Sequence, residues 1–233
     1  MIDIHCHMLY GVDDGAEDRQ MSVAMLKDAA KQGISAVILT PHYRQGMFKY
    51  PLEEIRAAYE DIYSEAEKLG VMVYLGCEYH ADGDTGENFK NGRCLTLADS
   101  DHVLVEFKYE SSIGFIRNTL NDLLAHGYTP VIAHAERYGP FIKEPELLRQ
   151  MRDMGVMVQI NAGSVLGREG FKTKRLCKRI IKEHLVDIVA SDSHNMTDRK
   201  NRMKECFEYI VKKYGEERAE RLLCTNPGKI LEK

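Results

Sequence analysis

The chain has 233 residues, 44% of them hydrophobic and 29% charged, with a formal net charge of -4. That length suits one domain with a sizeable core, expected here to span residues 1–233, and the balance is that of a soluble globular protein. There is no long Lys/Arg run of the kind that marks a nucleic-acid face, and no apolar stretch near the roughly 20 residues of a membrane helix, so neither nucleic-acid binding nor direct membrane insertion is expected.

In chain order, apolar runs predict strands over 1–7, 36–41, 71–78, 102–108, 129–134, 156–161 and 186–191. Helical patterns lie between them near 17–32, 52–69, 112–126, 145–154, 172–184 and 197–214. In the first, Met21, Met25 and Ala29 recur on one face. Gly33, Gly70, Gly127 and Gly155 each follow a helical run and precede a strand, where glycine suits the left-handed residue that ends a helix. The repeated unit implies a parallel sheet in an α/β fold. The tail 215–233 reads as a short amphipathic helix with a solvated charged face. The N-terminus has no basic and apolar regions of a signal peptide, and cytoplasm is the expected compartment.

The ends of these strands carry the chemistry. The first closes in His5-Cys6-His7, and alternation along a strand turns both histidines to one side. Asp13 and Asp14 follow in a Gly-rich turn, where either an Asx-turn or a ligand role fits. His42, Glu78, Glu106 and His134 each end an apolar strand, and a carboxylate there is costly unless paired or bound to metal. Asp192-Ser193-His194 repeats the two-apart spacing at the last strand. Any one of these residues alone reads as structural. Together, five His, two Glu and two Asp without thiolate point to divalent metal such as Mn, Fe or Zn. Donors on six different strands favour a barrel, whose mouth gathers every strand end, over an open sheet with one switch point. The expectation is a distorted seven-stranded (β/α)7 TIM-like barrel.

Arg137 lies three residues after His134, and Arg199 five after His194. An arginine fork grips phosphate oxygens in pairs, so both are candidates for a phosphate clamp. Lys108 shares a predicted strand with Glu106 and, if carboxylated, would bridge two metals as in amidohydrolases. The six cysteines form no C-x-x-C, and none has an arginine six positions later. Thiol catalysis is therefore disfavoured, and Cys6 and Cys77 read as buried packing residues facing away from the donors. No G-x-S-x-G elbow or P-loop is present.

These motifs resemble the PHP (polymerase and histidinol phosphatase) superfamily. Within it, the chain is similar to the bacterial protein-tyrosine phosphatases encoded with capsule and exopolysaccharide genes. The resemblance runs through Ile2-Asp3-Ile4-His5-Cys6-His7, Gly11-Val12-Asp13-Asp14-Gly15-Ala16, Thr40-Pro41-His42, Gly76-Cys77-Glu78, Val105-Glu106, Ala133-His134-Ala135-Glu136-Arg137-Tyr138 and Ser191-Asp192-Ser193-His194. It implies the PHP fold and three metal ions, usually manganese. On the family pattern His5, His7, Glu78 and Asp192 hold one ion; Glu78 bridges to a second held by Glu106 and His134; Asp14, His42 and His194 hold the third. Arg137 and Arg199 fall at phosphate-contacting positions. The implied substrate is phosphotyrosine in the tail of a membrane-associated tyrosine kinase. Other phosphoesterases of the fold, histidinol-phosphate phosphatase among them, a two-metal amidohydrolase or nuclease, and a metal-stabilised binding module are the rival readings. Gln159-Ile160-Asn161-Ala162-Gly163 departs from the pattern, so its contribution is open.

Overall fold

The structure is a computed structural model that describes residues 1–81 and 83–232; Asp82 and Lys233, the last residue of the predicted tail helix, lie outside the described residues. Among the described residues nine strands run in chain order: β1 (Ile2–Cys6), β2 (Ala36–Leu39), β3 (His42–Tyr43), β4 (Met72–Leu75), β5 (Glu78–His80), β6 (His102–Glu106), β7 (Thr129–Ile132), β8 (Met157–Asn161) and β9 (Ile188–Ala190). They form two sheets, β1-β2-β4 and β3-β5-β6-β7-β8-β9, and every pairing between them is parallel. Backbone bonds also join the ends of the order: Asp192 N–H donates to His5 O at 2.9 Å, and His7 N–H to Ser193 O at 2.8 Å.

Two predicted strands are each broken. The run 36–41 stops early as β2, with β3 starting just past its predicted end, and 71–78 becomes β4 and the start of β5. Pro41 has no N–H for a ladder, which breaks the first. In the second, a Cβ on Gly76 would sit 2.9 Å from Leu97 Cδ2, so a larger residue would have to push that side chain aside. The breaks let the outer halves β3 and β5 join β6 and carry His42 and Glu78, which are direct register partners, to the sheet's rim.

The sheets have two apolar faces. The outer face packs on the helices, through residues such as Met25, Ile62, Leu120, Met151, Ile180 and Ile210. Asp18 caps the helix Arg19–Lys31 by accepting from Met21 N–H at 2.8 Å, and Ser112 caps Ile113–Ala125 by accepting from Phe115 N–H. The inner face is a smaller cluster of Ile4, Ile38, Leu104, Val131, Ala133, Ile188 and Ala190. The register of β1 shifts between Asp3 and Cys6. Ile4 accordingly joins the inner cluster while Cys6 packs outward, as the sequence predicted for that cysteine. Cys77 packs in the outer cluster as well.

The predicted helix 197–214 begins only at Met203. Asn195 Oδ1 accepts the N–H groups of Thr197 and Arg199, forming a side-chain turn that competes with the helix. Asn201 then bonds Asp3 Oδ2 at 3.0 Å and accepts from Met203 N–H. Short helices Thr85–Lys90, Gly139–Lys143 and Ala162–Leu166 were not expected. The tail is three consecutive helical segments instead of one, and it is anchored: Leu222, Leu223 and Ile230 are buried, with Ile230 inside the inner cluster. Ile230→Ala should cost about 2–5 kcal/mol, the range for emptying a buried aliphatic site. Urea unfolding followed by circular dichroism checks this; an unchanged midpoint would show that the tail does not plug the inner face.

Candidate metal centre

The nine donors named from sequence stand at the strand ends and the loops that follow them, and they converge. His5 Nε2 and His7 Nε2 are 3.4 Å apart, and each lies 3.2 Å from Glu78 Oε2. Asp192 Oδ1 is 3.6 Å from the first and 3.7 Å from the second. His134 Nε2 is 2.7 Å from the other Glu78 oxygen and 3.8 Å from Glu106 Oε2. His42 is central: its Nδ1 faces Glu78 and Glu106 at 3.1 and 3.6 Å, and its Nε2 faces Asp14 at 3.5 Å. His194 Nε2 is also 3.5 Å from Asp14 Oδ1.

Grouped by which donor atoms lie within 4.8 Å of one another, three sets emerge among the described residues: His5, His7 and Asp192; His42, Glu78 and Glu106; and His7, Asp14, His42 and His194. His7 and His42 each belong to two sets, a sharing that the family pattern does not describe. His134 stands beside the second set through Glu78 and Glu106.

The site suits divalent cations on two observations. The donors are imidazole and carboxylate, the set that Mn, Fe and Zn accept. Among the described residues, His42 Nδ1 and His194 Nε2 are buried ring nitrogens with no hydrogen-bond partner, a costly state that a cation would relieve.

Electrostatics follow from burial. Burial opposes charge on Glu78 and Asp192, yet neighbouring charges outweigh it. His5 and His42 hold the Glu78 carboxyl well below its ordinary range, and His5 and Arg137 lower Asp192. The neighbouring His194, its Nε2 3.5 Å away, lowers Asp14. Burial and the neighbouring His7 push His194 down to about 4, leaving a neutral ring able to ligate. Backbone geometry is also unusual. His134 has φ 33° and Asp192 φ 51°, left-handed values that cost energy in residues with a Cβ and that gather at functional sites.

Groups behind the donors set their orientation, and here the structure supplies what the sequence missed. Asp13 accepts from His7 Nδ1–H at 2.7 Å, leaving Nε2 free, and accepts from Gly15 and His42 N–H. It thus makes the turn and aims a ligand at once. Gln159 Oε1 accepts from His5 Nδ1–H at 3.2 Å and from His134 N–H at 2.8 Å. Gln159 Nε2 donates to Asn161 Oδ1 at 2.8 Å, and Asn161 Nδ2 donates to Asp192 Oδ2 at 2.7 Å. The segment left open from sequence is therefore a buried amide relay touching His5, His134 and Asp192. Its signal was two amides two apart on an otherwise apolar strand. His80 was also missed; its Nδ1 lies 3.0 Å from Glu106 Oε1.

Both arginines reach this mouth. Arg137 donates from Nη1 to Asp192 Oδ2 at 3.1 Å, and its Nη2 and Nε hold Glu169 at 2.6 and 3.1 Å. Hydrogen bonds donated to Glu169 and the charge of Asp192 outweigh burial and raise its pKa. Arg199 donates to Asp14 Oδ2 at 3.3 Å and Asp192 Oδ1 at 3.4 Å. Lys108 does not join the donors. β6 ends at Glu106, and Lys108 lies exposed beyond it, outside all three sets. The carboxylated-lysine bridge is therefore set aside. The thiols are equally remote: Cys6 Sγ–H donates to Ile38 O and Cys77 Sγ–H to Leu95 O, and burial pushes Cys6 well above its ordinary pKa.

A parallel α/β fold with a rim of His and carboxylate donors defines the class: a metal-site protein of the PHP type. The family model for capsular polysaccharide synthesis, CpsB/CapC, matches residues 1–232. The tyrosine-protein phosphatase CpsB of Streptococcus pneumoniae is 34% identical, over 99% of this chain and 98% of that protein. The solved structures of YwqE from Bacillus subtilis and CpsB from Streptococcus pneumoniae, described as metal-dependent tyrosine phosphatases, include a match with TM-score 0.92, 32% identity, and coverage of 100% of this chain and 94% of that one. A histidinol phosphate phosphatase from Lactococcus lactis shares the fold at TM-score 0.58 and 17% identity, over 92% of this chain and 93% of its own. The chain belongs to the CpsB/CapC family.

The relay yields a prediction. Gln159→Leu keeps the side chain's volume but leaves His5 Nδ1 and His134 N–H without an acceptor. It should weaken manganese binding by about 10- to 100-fold. Calorimetric titration of metal into the chelated protein measures this, and unchanged affinity would reduce Gln159 to packing.

Proposed function

We propose that this chain is a metal-dependent protein-tyrosine phosphatase acting in capsular or exopolysaccharide synthesis. Its implied substrate is the phosphotyrosine-bearing tail of a membrane-associated tyrosine kinase. The observation that carries the reading is the convergence of His5, His7, Asp14, His42, Glu78, Glu106, His134, Asp192 and His194 on one rim with two arginines beside them, in a chain similar to CpsB over nearly its full length. The chain is read as one domain, with seven staves (β2 with β3, and β4 with β5, each counting once) closed through β1 and β9 into a distorted barrel. The proposed cofactors are three divalent ions, manganese first and iron or zinc otherwise. Six free cysteines fit the cytoplasm, and no helix among the described residues is long and apolar enough to cross a membrane.

The nine donors would hold the ions, which when bound supply positive charge to phosphate oxygens and acidify water at neutral pH. Gln159, Asn161 and Asp13 keep the imidazoles turned so that Nε2 faces the centre. Arg137 and Arg199 stand on opposite oxygens of Asp192, and each has N–H groups left for phosphate oxygens that face away from the donors. Glu169 grips the Arg137 fork from behind, holding it in place before substrate arrives. The thiols are packed away from the rim and take no part.

Metal analysis of manganese-loaded protein should approach three ions per chain, and a saturating value near one would overturn the trinuclear assignment. Chelation should abolish hydrolysis of phosphotyrosine peptide and manganese should restore it; histidinol phosphate and phosphoserine peptide serve as the rival substrates. Arg137→Ala and Arg199→Ala should keep metal content yet lose roughly 10²-fold in kcat/KM, typical of removing one charge-stabilising donor. Steady-state kinetics at the parent rate would make either arginine a surface residue.

A further inference from the structure

Three neighbouring strands repeat one spacing. His42 is followed two residues later by Arg44, Glu78 by His80, and Glu106 by Lys108. Along an extended chain, positions two apart share a face and lie about 7 Å apart. His80 therefore follows Glu78 on the same side of β5, while Arg44 and Lys108 lie just past the ends of β3 and β6, so a basic residue stands beyond each metal-type donor. The register supports this layering, because His42 pairs with Glu78 and His80 pairs with Glu106.

Arg44, His80 and Lys108 line one cleft of about 700 Å³, together with Met47, Ser112 and Phe115. No carboxylate lines that cleft among the described residues. A smaller pocket of about 330 Å³ shares the same three basic residues and adds Glu106 and Glu110. It connects the cleft to the metal-type donors through Glu106. Neither the Arg44 guanidinium nor the Lys108 ammonium has an ion-pair partner among the described residues, although the other arginines at this rim, Arg137 and Arg199, are both paired with acids. Met47 and Phe115 are exposed apolar side chains, 62% and 39% accessible.

We infer that this cleft is a second anion subsite, in which Arg44 and Lys108 grip a negatively charged group on the substrate chain close to the phosphotyrosine being hydrolysed, while Met47 and Phe115 contact the intervening residues. The inference rests on the phosphatase reading and deepens it: the substrate class becomes phosphotyrosine with an anionic neighbour. An unpaired guanidinium and ammonium attract either a carboxylate or a phosphate, so an acidic residue and a second phosphotyrosine are both sources of that group. The spacing of the two layers matches one to three residues of extended peptide, at about 3.3 Å each. Phosphotyrosine held at the rim would leave its flanks over the cleft. Lys108, which has no place among the metal-type donors, acquires a role here.

The test compares kcat/KM of the manganese-loaded protein on three phosphotyrosine peptides: one with neutral flanks, one with glutamates within three positions, and one with a second phosphotyrosine. Free phosphotyrosine serves as reference. The parent should prefer the anionic peptides by about tenfold or more, chiefly through KM, since the contact is made equally in ground and transition states. The preference should shrink as salt rises. In Arg44→Ala/Lys108→Ala, checked for fold by circular dichroism, the ratio of anionic to neutral peptide should collapse toward one, while Arg44→Lys/Lys108→Arg should retain most of it. A stronger preference for the doubly phosphorylated peptide identifies phosphate as the source, and a stronger one for the glutamate peptide identifies carboxylate. A flat series for the parent, or a preference that survives the double alanine variant, overturns the subsite while leaving the phosphatase reading intact. Failure of the parent to hydrolyse free phosphotyrosine and every peptide would sink both.

Discussion

A buried carboxylate requires compensating positive charge, and much of this molecule is arranged around that requirement. Glu78 and Asp192 are almost fully enclosed, yet both are held in their charged form by the groups around them. Five imidazoles and two guanidiniums surround the acids, and each carboxylate faces at least two of them. Such a cluster gains little as a structural device, since buried ion pairs often lose in desolvation what they gain in attraction. Its size, and the ring nitrogens left without partners, are better explained by cations that the donors are placed to receive.

Holding such a cluster takes a rigid frame. Parallel strands send their C-terminal ends to one rim, and the helices cover the outer face. Behind the rim, the donors are tied to one another by side chains that never face the centre. The Gln159–Asn161 relay links His5 to Asp192, and Asp13 links His7 to the backbone of His42. Asp3 does similar work below, accepting from Ser191 N–H and from Asn201, and so fixing the segment that presents Asp192 and His194. The left-handed backbone at His134 and Asp192 is tolerated because these bonds leave the loops little choice.

The rim also separates functions by depth. Donors occupy the inner layer, and Arg44 and Lys108, basic residues with no acidic partner among the described residues, stand further out. Arg137 and Arg199 straddle the two, each bonded to Asp192 and each facing the mouth. Charge is therefore graded from a dense, compensated interior to a cleft with unspent positive charge, an arrangement suited to a substrate that is anionic at more than one point.

What the sequence by itself determined was the set of chemical groups and the order of elements. Apolar runs ending in His, Glu or Asp could be read directly, because strand period and terminal polarity are local properties. The parallel arrangement followed from helices alternating with strands, and the outward turn of Cys6 from alternation. Tertiary structure decided what depends on distance between segments far apart in the chain. The break at Gly76 involves contact with Leu97, which is not visible locally, whereas the break at Pro41 follows from a residue with no N–H. The late start of the helix at Met203 came from Asn195 and Asn201 bonding elsewhere. The roles of Gln159 and Asn161 could not be read, because an amide on an apolar strand gains meaning only from what it faces, here His5 from the first strand and Asp192 just past the last. Lys108 shows the converse: two residues after Glu106 it seemed placed to share its metals, but the strand stops at Glu106 and the next residues turn the lysine out to the cleft.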